Sequence, residues 1–153
     1  MADVFISYHK KSSAGIAAQI AAALERSGVS CWYEKRDMEN VEFPGQITRA
    51  IRECRVFILI LNREAAQSRY NESEATMAFR RILNQERFTF LPFRVEDFDG
   101  TSSPWASYFL HNFQIINGCP PDEEHIRGLV KRVASIVRPA RAERTEVRPA
   151  QQA

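Results

Sequence analysis

A chain of 153 residues, 44% apolar and 26% charged, has one domain's length and enough apolar material for a core, which excludes a disordered or fibrous protein. Its net charge of +2, with a pI near 8.5, is too small to specify a nucleic-acid partner, and no apolar run reaches membrane-span length. Cys31, Cys54 and Cys119 are odd in number and show no metal-ligand spacing. With no basic leader or cleavage site before Val4, the expected address is a reducing cytoplasm.

The first expected strand covers residues 3–8, Asp-Val-Phe-Ile-Ser-Tyr. After the polar loop 9–13, a helix carries Ile16, Ile20, Ala23 and Leu24 on one face and stops at Gly28, where a left-handed cap is commonest. A second strand is expected over 29–34. A charged loop with Arg36, Asp37 and Asn40 follows and closes at Pro44-Gly45, ahead of a helix bearing Ile47, Ala50, Ile51 and Cys54.

The run Val56-Phe57-Ile58-Leu59-Ile60-Leu61 shows no alternation, so it reads as a strand covered on both faces, the state of a central parallel strand. A polar loop is expected over 62–71, then a helix with Ala75, Ala78, Phe79, Ile82 and Leu83 on its stripe. A fourth strand is expected over 88–95, with Pro92 demoting its far end to an edge or exit. A loop over 96–104, a short helix over 105–110 and a short strand over 113–116 come next. The last helix starts near Pro121, with Asp122, Glu123 and Glu124 at its positive end, and is expected to stop at Pro139. Residues 1–138 thus form the domain. Residues 139–153, in which Val147 is the only sizeable apolar side chain, read as a flexible linker or tail.

Strands alternating with helices give an α/β, flavodoxin-like three-layer fold with a five-stranded parallel sheet in the order 2-1-3-4-5. Ligands bind such sheets beyond the carboxyl ends of the strands where the winding reverses, here between strands 1 and 3. Residues 8–13 line one side of that crevice and residues 62–74 the other. Tyr70 and Glu74 are four apart and share a helix face. No G-x-G-x-x-G and no Walker loop follows a strand, which weighs against dehydrogenases and phosphate-cradling NTPases. Asn62 stands where a response regulator needs a phosphoacceptor Asp. The three histidines are scattered, so no metal site and no cofactor is expected.

Laid out in order, Phe5-Ile6-Ser7-Tyr8, then Gly28 to Tyr33 with Arg36-Asp37 and Pro44-Gly45, then Ser68, Tyr70 and Glu74, then Leu91 to Arg94 and Tyr108 to Leu110, resemble a Toll/interleukin-1 receptor (TIR) domain of the bacterial NAD-cleaving effector type. Tyr70 stands where the family usually has Trp. The resemblance implies an NAD+ glycohydrolase or cyclase in bacterial antiphage defence, with NAD+ as substrate and Glu74 as the catalytic carboxylate. It further implies substrate-binding roles for Tyr8, His9, Tyr33, Arg36, Asp37, Ser68 and Tyr70. Tyr33 or Trp32 would supply an aromatic wall. Activation by self-association into TIR–TIR filaments or oligomers is implied too, with a sensor domain beyond the tail in a longer chain. The alternative is a TIR interaction module with no catalysis. For Glu74 itself two readings stand side by side: a catalytic carboxylate, or the far half of an Asn71-x-x-Glu74 capping box. Glu72 is a neighbouring rival on the same helix.

Overall fold

The computed structural model describes residues 2–33 and 44–152. Strands β1 (Val4–Ser7), β2 (Cys31–Tyr33), β3 (Val56–Leu61), β4 (Thr89–Arg94) and β5 (Ile116–Asn117) form one sheet in the order β2-β1-β3-β4-β5. Every pairing is parallel. The helices are α1 (Lys10–Arg26), α2 (Pro44–Glu53), α3 (Arg63–Ala66), α4 (Arg69–Leu83), α5 (Pro104–Asn112) and α6 (Glu123–Gln152). The expected flavodoxin-like topology is therefore the observed one.

All six residues of β3 are 0% exposed. Alternation sends Val56, Ile58 and Ile60 to a core shared with α1 and α6, and Phe57, Leu59 and Leu61 to a core shared with α2, α4 and α5. On the second face Trp32, Phe5, Phe57 and Phe90 stack in a row across four strands, with centroids 5.0, 5.3 and 5.1 Å apart. Trp32 is thus a packing residue of the core.

Gly28 ends α1 at φ +79°, and the Gly28 and Val29 amides donate to the carbonyls of Glu25 and Leu24 at 3.0 Å each. Those two bonds satisfy the last carbonyls of the helix and turn the chain into β2. Pro92 sits inside β4, opposite Leu59. The amides of Thr89 and Val95 donate to carbonyls on the β3 side, so residues of the other parity, Pro92 among them, face the β5 side. There β5 pairs only with Phe93 and Arg94, and the missing N–H of Pro92 falls on open edge.

Several expectations are corrected. The segment after β3 holds α3, and α4 starts at Arg69 rather than after Asn71. The fifth strand lies at Ile116–Asn117 rather than 113–116. Leu83, assigned to the buried stripe, is 64% exposed because it is the last residue of α4, where the helix has passed its core contacts. The last helix continues through Pro139 to Gln152. Pro139 removes one N–H from the ladder without ending it. The loop carrying Arg36 and Asp37 lies outside the described residues.

Cutting Ile58 or Leu59 to Ala leaves a cavity between sheet and helices that neither layer can close. Each variant is expected to lose about 2–5 kcal/mol in denaturant unfolding, whereas Leu83→Ala stays within about 0.5 kcal/mol of wild type. Surface-like values at both Ile58 and Leu59 would contradict the two-faced burial of β3.

Candidate functional site

Ser7 closes β1 and shares the parity of Phe5, so its side chain points toward the α2–α4–α5 layer, while Tyr8 turns the other way into the α1–α6 core. At the same level, α4 brings Asn71 and Glu74, three residues apart on one helix face, over the end of β1. The Ser7 hydroxyl donates to Glu74 Oε1 at 2.7 Å, and Asn71 Nδ2 donates to Ser7 Oγ at 3.0 Å. The three residues are 1% (Ser7), 1% (Asn71) and 3% (Glu74) exposed. A carboxylate so far from solvent is rare and needs such donors to persist.

The cap of α4 lies elsewhere. Ser68 is its N-cap, with Oγ accepting from the Asn71 amide at 3.2 Å. Asn71 therefore is not the cap, and the capping-box reading of Asn71-x-x-Glu74 does not hold. Glu74 stands in the second turn, beyond the reach of most of the helix dipole. Glu72 is the exposed acid of the first turn, the place where a merely stabilising carboxylate belongs. The stability of α4 thus gives no reason for an acid at position 74.

Across the crevice, Asn62 follows β3 directly. Its Oδ1 accepts from the Ala65 amide at 2.8 Å, capping α3, and its Nδ2 donates to Ser12 Oγ at 2.9 Å and Ser13 Oγ at 3.2 Å. One side chain thereby ties the end of β3 to the first turn of α1. His9 precedes α1, with Nδ1 3.0 Å from Ser12 Oγ and 3.6 Å from Glu64 Oε2. Lys10 Nζ lies 5.1 Å from the centre of the Tyr70 ring, within cation–π range, and Tyr70 is 41% exposed.

The predicted residues therefore separate into two groups. Ser68, Tyr70 and Glu74 come together on α4 beside the end of β1, and His9 and Lys10 border them. Tyr8 and Tyr33 pack edge to face, centroids 6.3 Å apart, on the opposite face of the sheet. The backbone of Tyr8 still borders the crevice, because the residue lies between Ser7 and His9. Ser7, Asn71, Asn62 and Lys10 were not among the site residues expected from the sequence. The signals available were the three-residue spacing of Asn71 and Glu74 and the strand parity of Ser7.

Among the described residues no cluster of His, Cys, Asp and Glu could hold a metal ion, and no helix is long and apolar enough to cross a membrane. Burial pushes the Cys54 thiol up to about 12, although Arg81 beside it opposes the shift. A protonated, buried thiol is no nucleophile. Two hollows elsewhere, about 470 Å³ between α1 and α6 and about 700 Å³ beyond β4, are lined by side chains of mixed charge and contain no buried carboxylate. They do not compete with the crevice as a place for chemistry.

Comparison with known proteins agrees with the fold. A family model described as TIR domain matches residues 4–130. The fold is similar to the TIR domain of a Toll-related receptor, TRR-2, from Hydra magnipapillata, at a TM-score of 0.66 and 18% identity, over 87% of this chain and 98% of that one. A TIR-STING receptor from C. gigas, in complex with 2',3'-cGAMP, is similar at a TM-score of 0.67 and 19% identity, over 87% of this chain but only 39% of the receptor. The RPS4 and RRS1 TIR domain heterodimer is similar at a TM-score of 0.60 and 14% identity, over 87% and 96%. No curated protein matches the sequence.

Asn62 has two roles at the crevice, capping α3 and fastening α1. Asn62→Ala strands the Ala65 amide and removes the donor to the Ser12 and Ser13 hydroxyls, and is expected to cost about 1–3 kcal/mol. Asn62→Asp keeps the cap acceptor and lets both hydroxyls turn and donate, so denaturant unfolding should show a smaller loss. Equal losses would mean that the acceptor at position 62, toward the Ala65 amide or the serines, contributes nothing to stability.

Proposed function

The chain belongs to the TIR-domain family, and we propose that it is one of the members that cleave the nicotinamide–ribose bond of NAD+, acting as an effector in bacterial antiphage defence. The observation that carries this reading is the buried carboxylate of Glu74, held by Ser7 at 2.7 Å at the carboxyl end of β1.

One carboxylate is sufficient for this chemistry. Nicotinamide departs as a neutral molecule from a cationic pyridinium, so no acid has to protonate the leaving group. Most glycosidases need two carboxyl groups because theirs does. Positive charge develops on the ribose ring as the bond breaks, and a fixed carboxylate nearby stabilises it and accepts the ribose hydroxyls. In this reading Glu74 carries that role, Tyr70 packs beside the nicotinamide ribose, and Ser68 and the Tyr8–His9 backbone shape the pocket. Water ends the reaction as a hydrolase; attack by the folded-back adenine ends it as a cyclase.

Glu74 is 3% exposed in the single chain, so a dinucleotide reaches it only when the packing around it opens. Self-association is the proposed trigger. A head-to-tail contact between identical domains grows into an open filament, and a sensor domain elsewhere in a longer chain would control it through local concentration. One structural neighbour, RPS4 with RRS1, is a heterodimer of TIR domains, which favours, as the second reading, a module that only pairs with other TIR domains.

Glu74→Gln keeps the volume and removes the charge. Turnover of NAD+ is expected to fall at least about 100-fold, with thermal stability equal to or above wild type, since a buried charge is lost. Activity per molecule should rise with protein concentration from nanomolar to high micromolar. A pure interaction module would consume no NAD+ at any concentration while Glu74→Gln still self-associates.

A further inference from the structure

We propose that Ser7 and Asn71 form a directed hydrogen-bond chain that positions the Glu74 carboxylate, an assignment that rests on the NAD-cleaving reading of the site.

The direction follows from proton counting. An ionised carboxylate only accepts, so the bond at 2.7 Å between Ser7 Oγ and Glu74 Oε1 takes the one proton of the serine. Ser7 Oγ is then left with lone pairs, and the group 3.0 Å away must donate to it, which the Asn71 amide nitrogen does. The reverse amide orientation would set two acceptors against one proton.

The placement explains why these residues are suited to the task. Ser7 belongs to β1, which is paired on both sides, with Ser7 itself in register with Leu59 of β3. Asn71 and Glu74 share one face of α4, whose start is fixed by the Ser68 cap. The carboxylate is thereby referenced to the centre of the sheet and to its own helix at once. An oxocarbenium-like centre is stabilised in proportion to how well the opposing charge is preorganised, so small displacements lower turnover before they lower binding. Ser7 and Asn71 touch Glu74 or each other rather than substrate in this scheme, and both are positioning residues.

The test is steady-state NAD+ turnover with separated products, at a protein concentration where wild type is active. Ser7→Ala is expected to lower kcat about 10–100-fold with KM held within about threefold. Asn71→Ala keeps the serine proton but frees its direction, and a smaller loss, about 3–10-fold, is expected. Because Asn71 acts through Ser7, the double variant should be no worse than Ser7→Ala alone. A folded Ser7→Ala enzyme with wild-type kcat, or losses that multiply in the double variant, would overturn the proposal. The carboxyl ¹³C resonance of Glu74, assigned by its absence in Glu74→Gln, supplies a readout without activity. It should move in Asn71→Ala and Ser7→Ala, and an unchanged resonance in both would also overturn the chain. Wild-type protein that consumes no NAD+ while this resonance responds would remove the proposed reaction and leave the hydrogen-bond chain standing.

Discussion

A strand without a solvent face has to be covered twice, and β3 imposes that condition on the whole molecule. Its six apolar residues are all at 0% exposure, each fully buried aliphatic or aromatic side chain being worth about 1.5–3 kcal/mol. Covering both faces demands helices on both sides, and connections that pass from one side to the other. The change of side occurs between β1 and β3, where α1 leaves toward one layer and α2 arrives from the other. The apolar cover ends where β3 does, at Leu61, and the next residue is Asn62. Polar side chains meet at that level because the core has run out, and Ser7, Ser12, Ser13, Asn62, Asn71 and Glu74 all gather there.

Within that gathering Glu74 is the anomaly. The polar groups around Asn62 have recognisable structural roles: they cap α3 and fasten α1. Ser68 caps α4. Glu74 is not the cap of its own helix and sits too deep in it to profit much from its dipole, yet it is withdrawn from water at a desolvation cost of several kcal/mol. Where every local rule favours an apolar or amide side chain and the chain carries a carboxylate, the explanation is sought in chemistry rather than in stability. The positions of Ser7 and Asn71 fit the same logic, since together they supply a donor chain that helps make the acid tolerable.

The sheet was legible because its signals are collective. Six consecutive apolar residues exclude an amphipathic strand whatever each one does singly, and the spacing of the runs leaves little choice of topology. The errors fall where a single residue decides. Helix α3 is four residues long, too short for any periodicity, and only its Asn62 cap betrays it. Pro139 reads as a terminator because it removes a hydrogen bond, but one missing bond does not outweigh the helix on either side of it. Leu83 matched the stripe of α4 in angle and missed it in length. At the site, Glu74 was legible through its companions Ser68 and Tyr70. Ser7 was not, since a serine after three apolar residues looks like a strand boundary, and only the parity of β1 shows that it points at α4. Tyr8 and Tyr33 share the neighbourhood in sequence terms but face the other layer, a distinction that follows from alternation once the strand ends are known.

The burial that makes Glu74 conspicuous also bears on how the proposed activity would be held in check. An enzyme that destroys NAD+ is harmful to its own cell whenever it is competent, so competence in the dilute chain would be selected against. A carboxylate at 3% exposure, pinned from β1 and from its own helix, is preorganised but not accessible. Access and preorganisation are separate requirements: in the proposed scheme the first would depend on surface segments that a neighbouring copy displaces, and the second on the paired strand and the capped helix, which association would leave undisturbed. In the proposed scheme Tyr70, at 41% exposure with Lys10 Nζ 5.1 Å from its ring centre, would belong to the first set, and Ser7 and Asn71 to the second. An arrangement of this kind lets assembly switch the proposed reaction on by uncovering a charge already in place, so that the energy of association is spent on moving a few exposed side chains and not on building the catalytic geometry.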